Sequence, residues 1–240
     1  MKMRTAYMNQ FKLSILLFFF LTATGFAQQY EIGLFGGGAK YIGDIGKEDY
    51  FLPSNAGGSL LFKSTINPWM YMRMGFSYLA LSGDDSESSS LGRQLRNYAF
   101  DSHVIEVSMG IEYNFLPRNP FKKTAKFNKL TPYMFSGISM INYSGSITNK
   151  TNLTADYNGL SWGIPMVLGI KYKISEHFLL AFESGARYTF TDELDGTSKD
   201  SKAYAFNFRG TTNVNSNDWY TFTSVGIIYT FGDLSCYFGF

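Results

Sequence analysis

One short segment of the chain holds three residue types that together could hydrolyse an ester. His103 is followed by Glu106 and Ser108, which could supply a base, an orienting acid and a nucleophile. The segment alternates apolar and polar residues, and in such a strand successive side chains point to opposite faces. His103 then lies on one face, while Glu106 and Ser108 lie on the other. The spacing therefore predicts no catalytic centre, and His103 is interpreted as an ordinary belt residue at a strand end.

Other motifs that could bind a ligand are equally weak. Residues 36–38 are consecutive glycines inside an alternating segment, without the strand–turn–helix setting of a dinucleotide loop. Residues 192–195 read Asp-Glu-Leu-Asp, but their spacing is not that of a calcium loop and predicts a solvated external loop. Cys236 is the single cysteine, which excludes an intramolecular disulfide and a cysteine-based metal site. We expect neither a metal nor a cofactor.

A further set of charged residues lies within the alternating segments, on the face opposite the apolar side chains. Four acids and three bases nearly balance, and buried charges of opposite sign are expected to pair because an unpaired one is costly. The set is a candidate charge network in the interior of the fold. Its members are Glu31, Arg73, Glu106, Glu112, Lys171, Glu183 and Arg187.

The segments that position these charges read as eight β-strands. In the clearest of them, Met70, Met72, Met74 and Phe76 alternate with polar or small residues. Aromatic residues make up 18% of the chain and glycines number 24, yet mean hydropathy is only −0.10. This combination is typical of an all-β, eight-stranded antiparallel transmembrane barrel of the outer membrane, with a filled interior. The predicted strands are residues 30–41, 57–66, 70–78, 102–115, 132–143, 160–174, 178–190 and 219–231.

Strand ends and connections follow the same plan. Aromatic residues recur near strand ends and predict two belts at the membrane interfaces; they are Trp69, Tyr78, Tyr133, Tyr143, Trp162, Tyr172, Trp219 and Phe231. Short connections alternate with long polar ones at residues 44–55, 82–101, 144–159 and 191–218, which predicts periplasmic turns and external loops. Residues 116–130 form one long connection on the periplasmic side. Two interpretations of this connection are open. It is either a solvated turn or a candidate docking surface for a periplasmic partner or an anionic envelope component, through Arg118, Lys122, Lys123, Lys126 and Lys129.

The first residues have the pattern of a secretory signal. Lys2, Arg4 and Lys12 precede or flank an apolar run that is too short to span a membrane, and small residues end it near position 27. Removal of the signal leaves 18 basic and 19 acidic residues of the original 21 and 19, so the basic pI carries no indication of nucleic-acid binding. We predict a signal peptide at 1–27, the barrel at 28–231, a periplasmic tail at 232–240, and location in the outer membrane.

Several motifs together resemble the PorG-like outer-membrane barrels of the type IX secretion system. They are residues 31–37, Tyr41, residues 43–44, Tyr78, residues 82–85, Glu106, Glu112, residues 114–115, 132–135, 183–192, 194–195, 209–210 and 217–220. The resemblance implies a non-enzymatic role in secretion and gliding motility. It also implies a periplasmic ring lipoprotein and its associated ring subunit as partners, with no small-molecule substrate, no cofactor and no nucleic acid.

Two alternatives remain open from the residues. One is a stand-alone barrel that serves adhesion or envelope integrity through its external loops. The other is a lipid-modifying enzyme that uses His103, despite the unfavourable strand parity.

Overall fold

The computed structural model describes residues 29–43, 45–46, 53–116, 129–148, 154–196 and 217–232. The predicted signal peptide and most of the predicted tail lie outside these ranges. Eight strands and one short helix, α1 (Leu91–Arg96), account for most of the described chain. The strands are β1 (Tyr30–Ile42), β2 (Asn55–Thr65), β3 (Met70–Asp84), β4 (Ala99–Asn114), β5 (Leu130–Thr148), β6 (Thr154–Lys173), β7 (Phe178–Thr189) and β8 (Trp219–Phe231).

The strands form one closed antiparallel barrel, as the sequence predicts. Each strand pairs with the next along the chain, and β8 pairs with β1, with Tyr30 opposite Phe231 and Ile42 opposite Trp219. Closure gives every strand a neighbouring strand on both sides, so the barrel has no edge strand. Beyond Leu79 of β3 and before Gly163 of β6, these two strands extend past their neighbours β2 and β7. The fold class is therefore confirmed.

Side chains alternate between the lumen and the outer wall, and the apolar ones face outward. Met74 and Phe76 are 48% and 50% exposed on the outer wall, whereas Arg73 and Ser77, next to them in the chain, are buried. This distribution is the inverse of that of a soluble protein and suits contact with hydrocarbon. Among the described residues, no helix is long and apolar enough to cross a membrane.

Connections distinguish the two ends of the barrel. At one end, here called the turn end, residues 66–69 and 174–177 join strands through tight turns. Asn67 stabilises the first of these turns, because its side-chain oxygen accepts hydrogen bonds from the backbone N–H groups of Trp69 and Met70 at 2.9 and 2.8 Å. The connections that follow β1, β3, β5 and β7 lie at the opposite end, here called the loop end, whereas the long connection that follows β4 lies at the turn end.

The strands extend further toward the loop end than predicted. Most of the predicted loop 144–159 belongs to β5 and β6, which continue to Thr148 and begin at Thr154. In this part Ile147 and Tyr157 pack inside, while Ser146 and Asp156 face outward. The outer face is polar in this part of the strands. The prediction relied on apolar residues facing outward, and that pattern ends before the strands end.

Aromatic belts are present on the outer wall, but two predicted members are not in them. Tyr78 stacks on His103 toward the loop end, and Trp69 stacks on Tyr113 at the turn end. Tyr133 and Tyr143, in contrast, are buried in the lumen at 1% and 2% exposure. Each ring lies over a glycine of β6, since Gly169 is the register partner of Tyr133 and Gly159 that of Tyr143. A Cβ atom at either glycine would overlap the ring.

The lumen is filled in layers. The half toward the loop end holds an apolar cluster that includes Leu79, Leu81, Val104, Ile141 and Phe222. The half toward the turn end holds most of the buried charges.

Candidate functional site

Interior charges converge on Glu112, which is fully buried. One of its oxygens, Oε2, lies 2.7 Å from Lys63 Nζ and 3.3 Å from Arg73 Nη1. The other, Oε1, accepts a hydrogen bond from Lys171. Three cations from strands β2, β3 and β6 therefore meet at one carboxylate of β4.

A second carboxylate, that of Glu183, also compensates part of this positive charge. Glu183 receives both terminal nitrogens of Arg73 at 2.8 Å, in a bidentate pair, and the Tyr133 hydroxyl donates to it at 2.6 Å. The Arg73 guanidinium also lies 4.3 Å from the centre of the Phe135 ring. A planar pair with two hydrogen bonds fixes the orientation of the guanidinium as well as compensating its charge. Arg73 is therefore held by Glu112 of β4, Glu183 of β7 and the ring of Phe135.

Lys171 completes the network at the turn end. Its Nζ atom lies 3.7 Å from a Glu31 oxygen and within 5 Å of the ring centres of Tyr71 and Tyr133. Asn114 is a further contact at 3.5 Å.

A smaller group lies nearer the middle of the lumen. Arg187 Nε is 3.4 Å from Glu106 Oε2, and the Tyr220 hydroxyl donates to the same oxygen at 2.7 Å. A terminal nitrogen of Arg187 donates to the Gly185 carbonyl at 2.9 Å.

The structure therefore places all seven candidate interior residues in the lumen and adds Lys63, which the sequence analysis missed. A sequence signal existed, because Lys63 has the opposite strand parity to the outward residues Leu60 and Phe62. In the structure it pairs in register with Glu31 on one side and Arg73 on the other, both of which face inward. With Lys63 the described network has four acids and four bases. The charges of the described network therefore compensate one another inside the lumen.

The loop end carries a polar cluster of a different kind. Asp195 and Asp218 are 1% and 2% exposed, and the Tyr41 hydroxyl lies 2.8 and 2.6 Å from oxygens of the two. Leu194, between them in space, is fully buried, and its N–H donates to Asp218 at 2.9 Å. The prediction of a solvated loop at 192–195 is therefore wrong for Leu194 and Asp195. The mouth of the barrel provides aromatic and acidic partners that an isolated loop would lack.

The predicted docking surface lies mostly outside the described residues. Arg118, Lys122, Lys123 and Lys126 are in the undescribed part of the connection, and Lys129 is exposed immediately before β5. Lys173 is exposed at the same end, and both lysines border a small cavity beside Glu31 and Lys171.

Catalytic and metal-binding arrangements receive no support from the geometry around the histidines. His103 faces outward on Tyr78, whereas Glu106 and Ser108 are buried in the lumen, so these three side chains cannot form a triad. His177 lies in a turn beside the Thr230 carbonyl at 3.2 Å. Within the described ranges no three His, Cys, Asp or Glu side chains come together in a way that could hold a metal ion.

Solved structures include several barrels that resemble this one. The major outer membrane protein of Thermus thermophilus is 14% identical, with a TM-score of 0.52 over 86% of this chain and all of that one. The N-terminal β-barrel domain of OprF from Pseudomonas aeruginosa is 12% identical, with a TM-score of 0.48 over 85% and 97%. Ail, the attachment invasion locus protein of Yersinia pestis, is 9% identical, with a TM-score of 0.46 over 85% and 99%.

At these identities the likeness concerns the fold alone, and it shows the closed eight-stranded barrel found in outer-membrane proteins. No curated protein matches the sequence. One family model matches residues 10–239, which include the whole described barrel, and the chain thus belongs to the family described as Domain of unknown function (DUF6089).

Proposed function

We propose that this protein is a non-enzymatic outer-membrane subunit of the type IX secretion machinery, where it anchors a periplasmic ring lipoprotein and the associated ring subunit. The sequence resemblance supplies the identity of the machinery. The structure supports the mechanical part of the proposal, because the outer wall suits lipid and the lumen is filled by paired charges and packed aromatic rings. Such a barrel is an anchor rather than a passage.

The observation that carries the proposal is the long connection at the turn end. The two other turn-end connections, 66–69 and 174–177, are tight turns, whereas residues 115–129 separate β4 from β5. Residues 118–129 contain five bases and no acid. With the turn end in the periplasm, this connection offers a positively charged surface to a partner with acidic groups, and Lys173 extends the same charge.

Replacement of Arg118, Lys122, Lys123, Lys126 and Lys129 by serine tests this role. We expect the variant to insert normally, to lose recovery of the ring lipoprotein in a mild-detergent pull-down, and to secrete poorly. Insertion is checked by the mobility difference between heated and unheated samples on a gel.

A matched control replaces bases of the loop-end connections, Lys150, Lys199 and Lys202, by serine. Recovery of the ring should then be unchanged. Equal recovery with the turn-end variant would exclude this connection as the contact, and normal secretion after deletion of the gene would overturn the proposed function itself.

A stand-alone adhesion role is the second candidate, and helix α1 favours it. Leu91 and Leu95 are 76% and 71% exposed, one turn apart, at the loop end. The helix is braced, because Arg93 donates to the Gly46 carbonyl at 2.9 Å and buried Asp85 accepts from Gly46 N–H at 3.1 Å. Exchange of both leucines for serine should abolish attachment to a surface ligand and leave secretion intact if adhesion is the function.

A further inference from the structure

One part of the outer wall is recessed, whereas strands β3 and β4 expose large side chains such as Phe76 and Met109. The recess, here called the wall groove, has a volume of about 770 Å³. Its floor is made of small outward residues of strands β5, β7 and β8, which are Ser136, Ser184, Ala186, Thr221 and Thr223. Larger outward residues of β5 and β6, Met134 and Leu168 among them, line its other end. The wall therefore has room for part of a molecule that lies against it.

Large side chains border the floor of the wall groove on β7 and β8 in both directions. Toward the turn end, the next outward register pair is Phe182 with Val225. Toward the loop end, it is Tyr188 with Trp219, whose ring centres lie 4.9 Å apart. The groove is therefore bounded along these strands, and a molecule that enters it is held from both sides.

The wall groove crosses the wall obliquely between the two membrane interfaces. Met134, at its β5 end, is the register partner of Tyr113, which stacks on Trp69 at the turn end. Thr221, at its β8 end, is one outward position from Trp219 at the loop end. The strands of such a barrel are tilted, so a line of register partners climbs from one interface toward the other. The groove therefore runs in the direction of a lipid acyl chain.

The length and the floor of the wall groove suit one leaflet. Four strands, β5 to β8, contribute to it, and at a spacing of about 4.8 Å they give a length of about 14 Å. One leaflet contributes about 15 Å to a hydrocarbon core of about 30 Å. On the floor, the hydroxyl groups of Ser184 and Thr223 lie 2.9 Å apart and hydrogen-bond to each other. This pair needs no polar partner from the membrane, which favours a hydrocarbon chain as the occupant.

A cation lies near the end of the wall groove where the headgroup of such a lipid would be. Lys40 of β1 is the register partner of Thr221, and strand parity directs its side chain outward. Lys40 also borders a cavity at the loop end with Asp84 and Asp101, but none of the ion pairs formed by the described residues includes it. A long lysine side chain beside a membrane interface can extend toward the headgroups, so this ammonium group is available to a phosphate.

We infer that the wall groove binds one acyl chain of a phosphorylated glycolipid of the outer leaflet, and that Lys40 pairs with the phosphate of this lipid. With the loop end outside the cell, as the sequence predicts, the end of the groove beside Lys40 meets the outer leaflet. The acyl chain then extends from this end toward Met134, across the small residues of the floor. This inference does not depend on the proposed role in secretion.

Native mass spectrometry of the full barrel, purified in mild detergent and titrated with lipid A, tests the binding. We expect one lipid A molecule per barrel. Lipid A without its phosphate groups keeps the acyl chains and should bind about tenfold more weakly, which is the effect of one hydrogen bond to a charged group. Equal affinities for the two lipids, or no binding of lipid A, would overturn the inference.

Ala186→Leu tests the groove, because it places a larger side chain on the floor. We expect the affinity for lipid A to fall about tenfold, since the acyl chain and the new side chain compete for the same space. Val107→Leu on the outward face of β4 is the matched control and should bind like the wild type. Both variants keep an apolar outer wall, and heat-modifiable mobility confirms that they are folded. Unchanged affinity of the Ala186→Leu barrel would show that lipid A binds elsewhere.

Lys40→Gln tests the phosphate contact. It should weaken the binding of lipid A about tenfold and leave the binding of the dephosphorylated lipid unchanged. Lys150→Gln, in the connection between β5 and β6, is the matched control and should leave both affinities unchanged. Equal binding of lipid A by the Lys40→Gln barrel and the wild type would overturn the pairing. A dimer that forms without bound lipid A, and that Ala186→Leu abolishes, would instead assign the groove to a second copy of the chain.

Discussion

Glu112 shows how a single carboxylate can compensate several buried cations in the lumen. It is fully buried and contacts Lys63, Arg73 and Lys171 from three other strands. Arg73 has a second carboxylate close by, since it forms a bidentate pair with Glu183. The remaining positive charge depends on Glu112, with Glu31 at a longer distance from Lys171.

Substitution Glu112→Gln should therefore be among the most destabilising in the barrel. It leaves buried cations without their carboxylate, and removal of one partner from a buried ion pair costs about 3–5 kcal/mol. We expect a lower urea midpoint for unfolding from detergent micelles, followed by tryptophan fluorescence. Glu176→Gln in an exposed turn is the matched control and should leave the midpoint unchanged. Equal midpoints for the two variants would show that Glu112 is not the centre of the network.

Individual residues also show what the sequence could and could not reveal. Inward positions of Arg73, Glu106 and Glu183 follow from strand parity, because Arg73 and Glu106 each stand between outward apolar residues and Glu183 follows outward Phe182. Their partners do not follow, since Arg73 and Glu183 are on strands β3 and β7 and meet only across the lumen. The position of Tyr133 near a strand end led to the wrong prediction of a belt residue, because the glycine that accommodates its ring in the lumen, Gly169, lies on another strand.

At the scale of the element, strand β3 has two faces with opposite requirements. Met72, Met74 and Phe76 cover its outer wall, while Arg73 and Ser77 are buried in the lumen. Strand bounds were predictable where this contrast is strong. They were missed at the loop ends of β5 and β6, where Ser146 and Asp156 face outward and Ile147 faces inward, so that the pattern is that of a water-exposed sheet.

Met74→Arg should impair insertion through the outer wall of β3. A charged side chain at the middle of the lipid face costs about 2–4 kcal/mol, because it must leave water for hydrocarbon. Folding yield into lipid vesicles, read from heat-modifiable mobility, measures the effect. Gln94→Arg on exposed helix α1 adds the same charge outside the wall and should insert like the wild type. Equal yields would mean that the outer wall does not face hydrocarbon.

At the scale of the whole molecule, the two halves of the lumen are filled by different kinds of side chains. Paired charges fill the half toward the turn end, and an apolar cluster that includes Leu194 fills the half toward the loop end. The sequence predicted the filled interior from strand number, since eight strands enclose just enough room for side chains. The buried positions of Leu194 and Asp195 were unpredictable, because their partners Tyr41, Tyr157 and Asp218 come from three distant parts of the chain.

A barrel filled in this way should not conduct ions freely. In planar lipid bilayers we expect no stable conductance steps of the size produced by a 16-stranded porin, which serves as the positive control in the same membrane. Large, ohmic steps from the purified protein would contradict a sealed lumen.

Pairing of β1 with β8 has a consequence for biogenesis. Two strands far apart in the sequence must meet before the cylinder is sealed, so closure has to wait until β8 is available to β1. Until then both strands present unpaired backbone, which hydrocarbon does not tolerate and which invites aggregation. Docking of β8 is therefore the step that converts an aggregation-prone sheet into a barrel that lipid can accept.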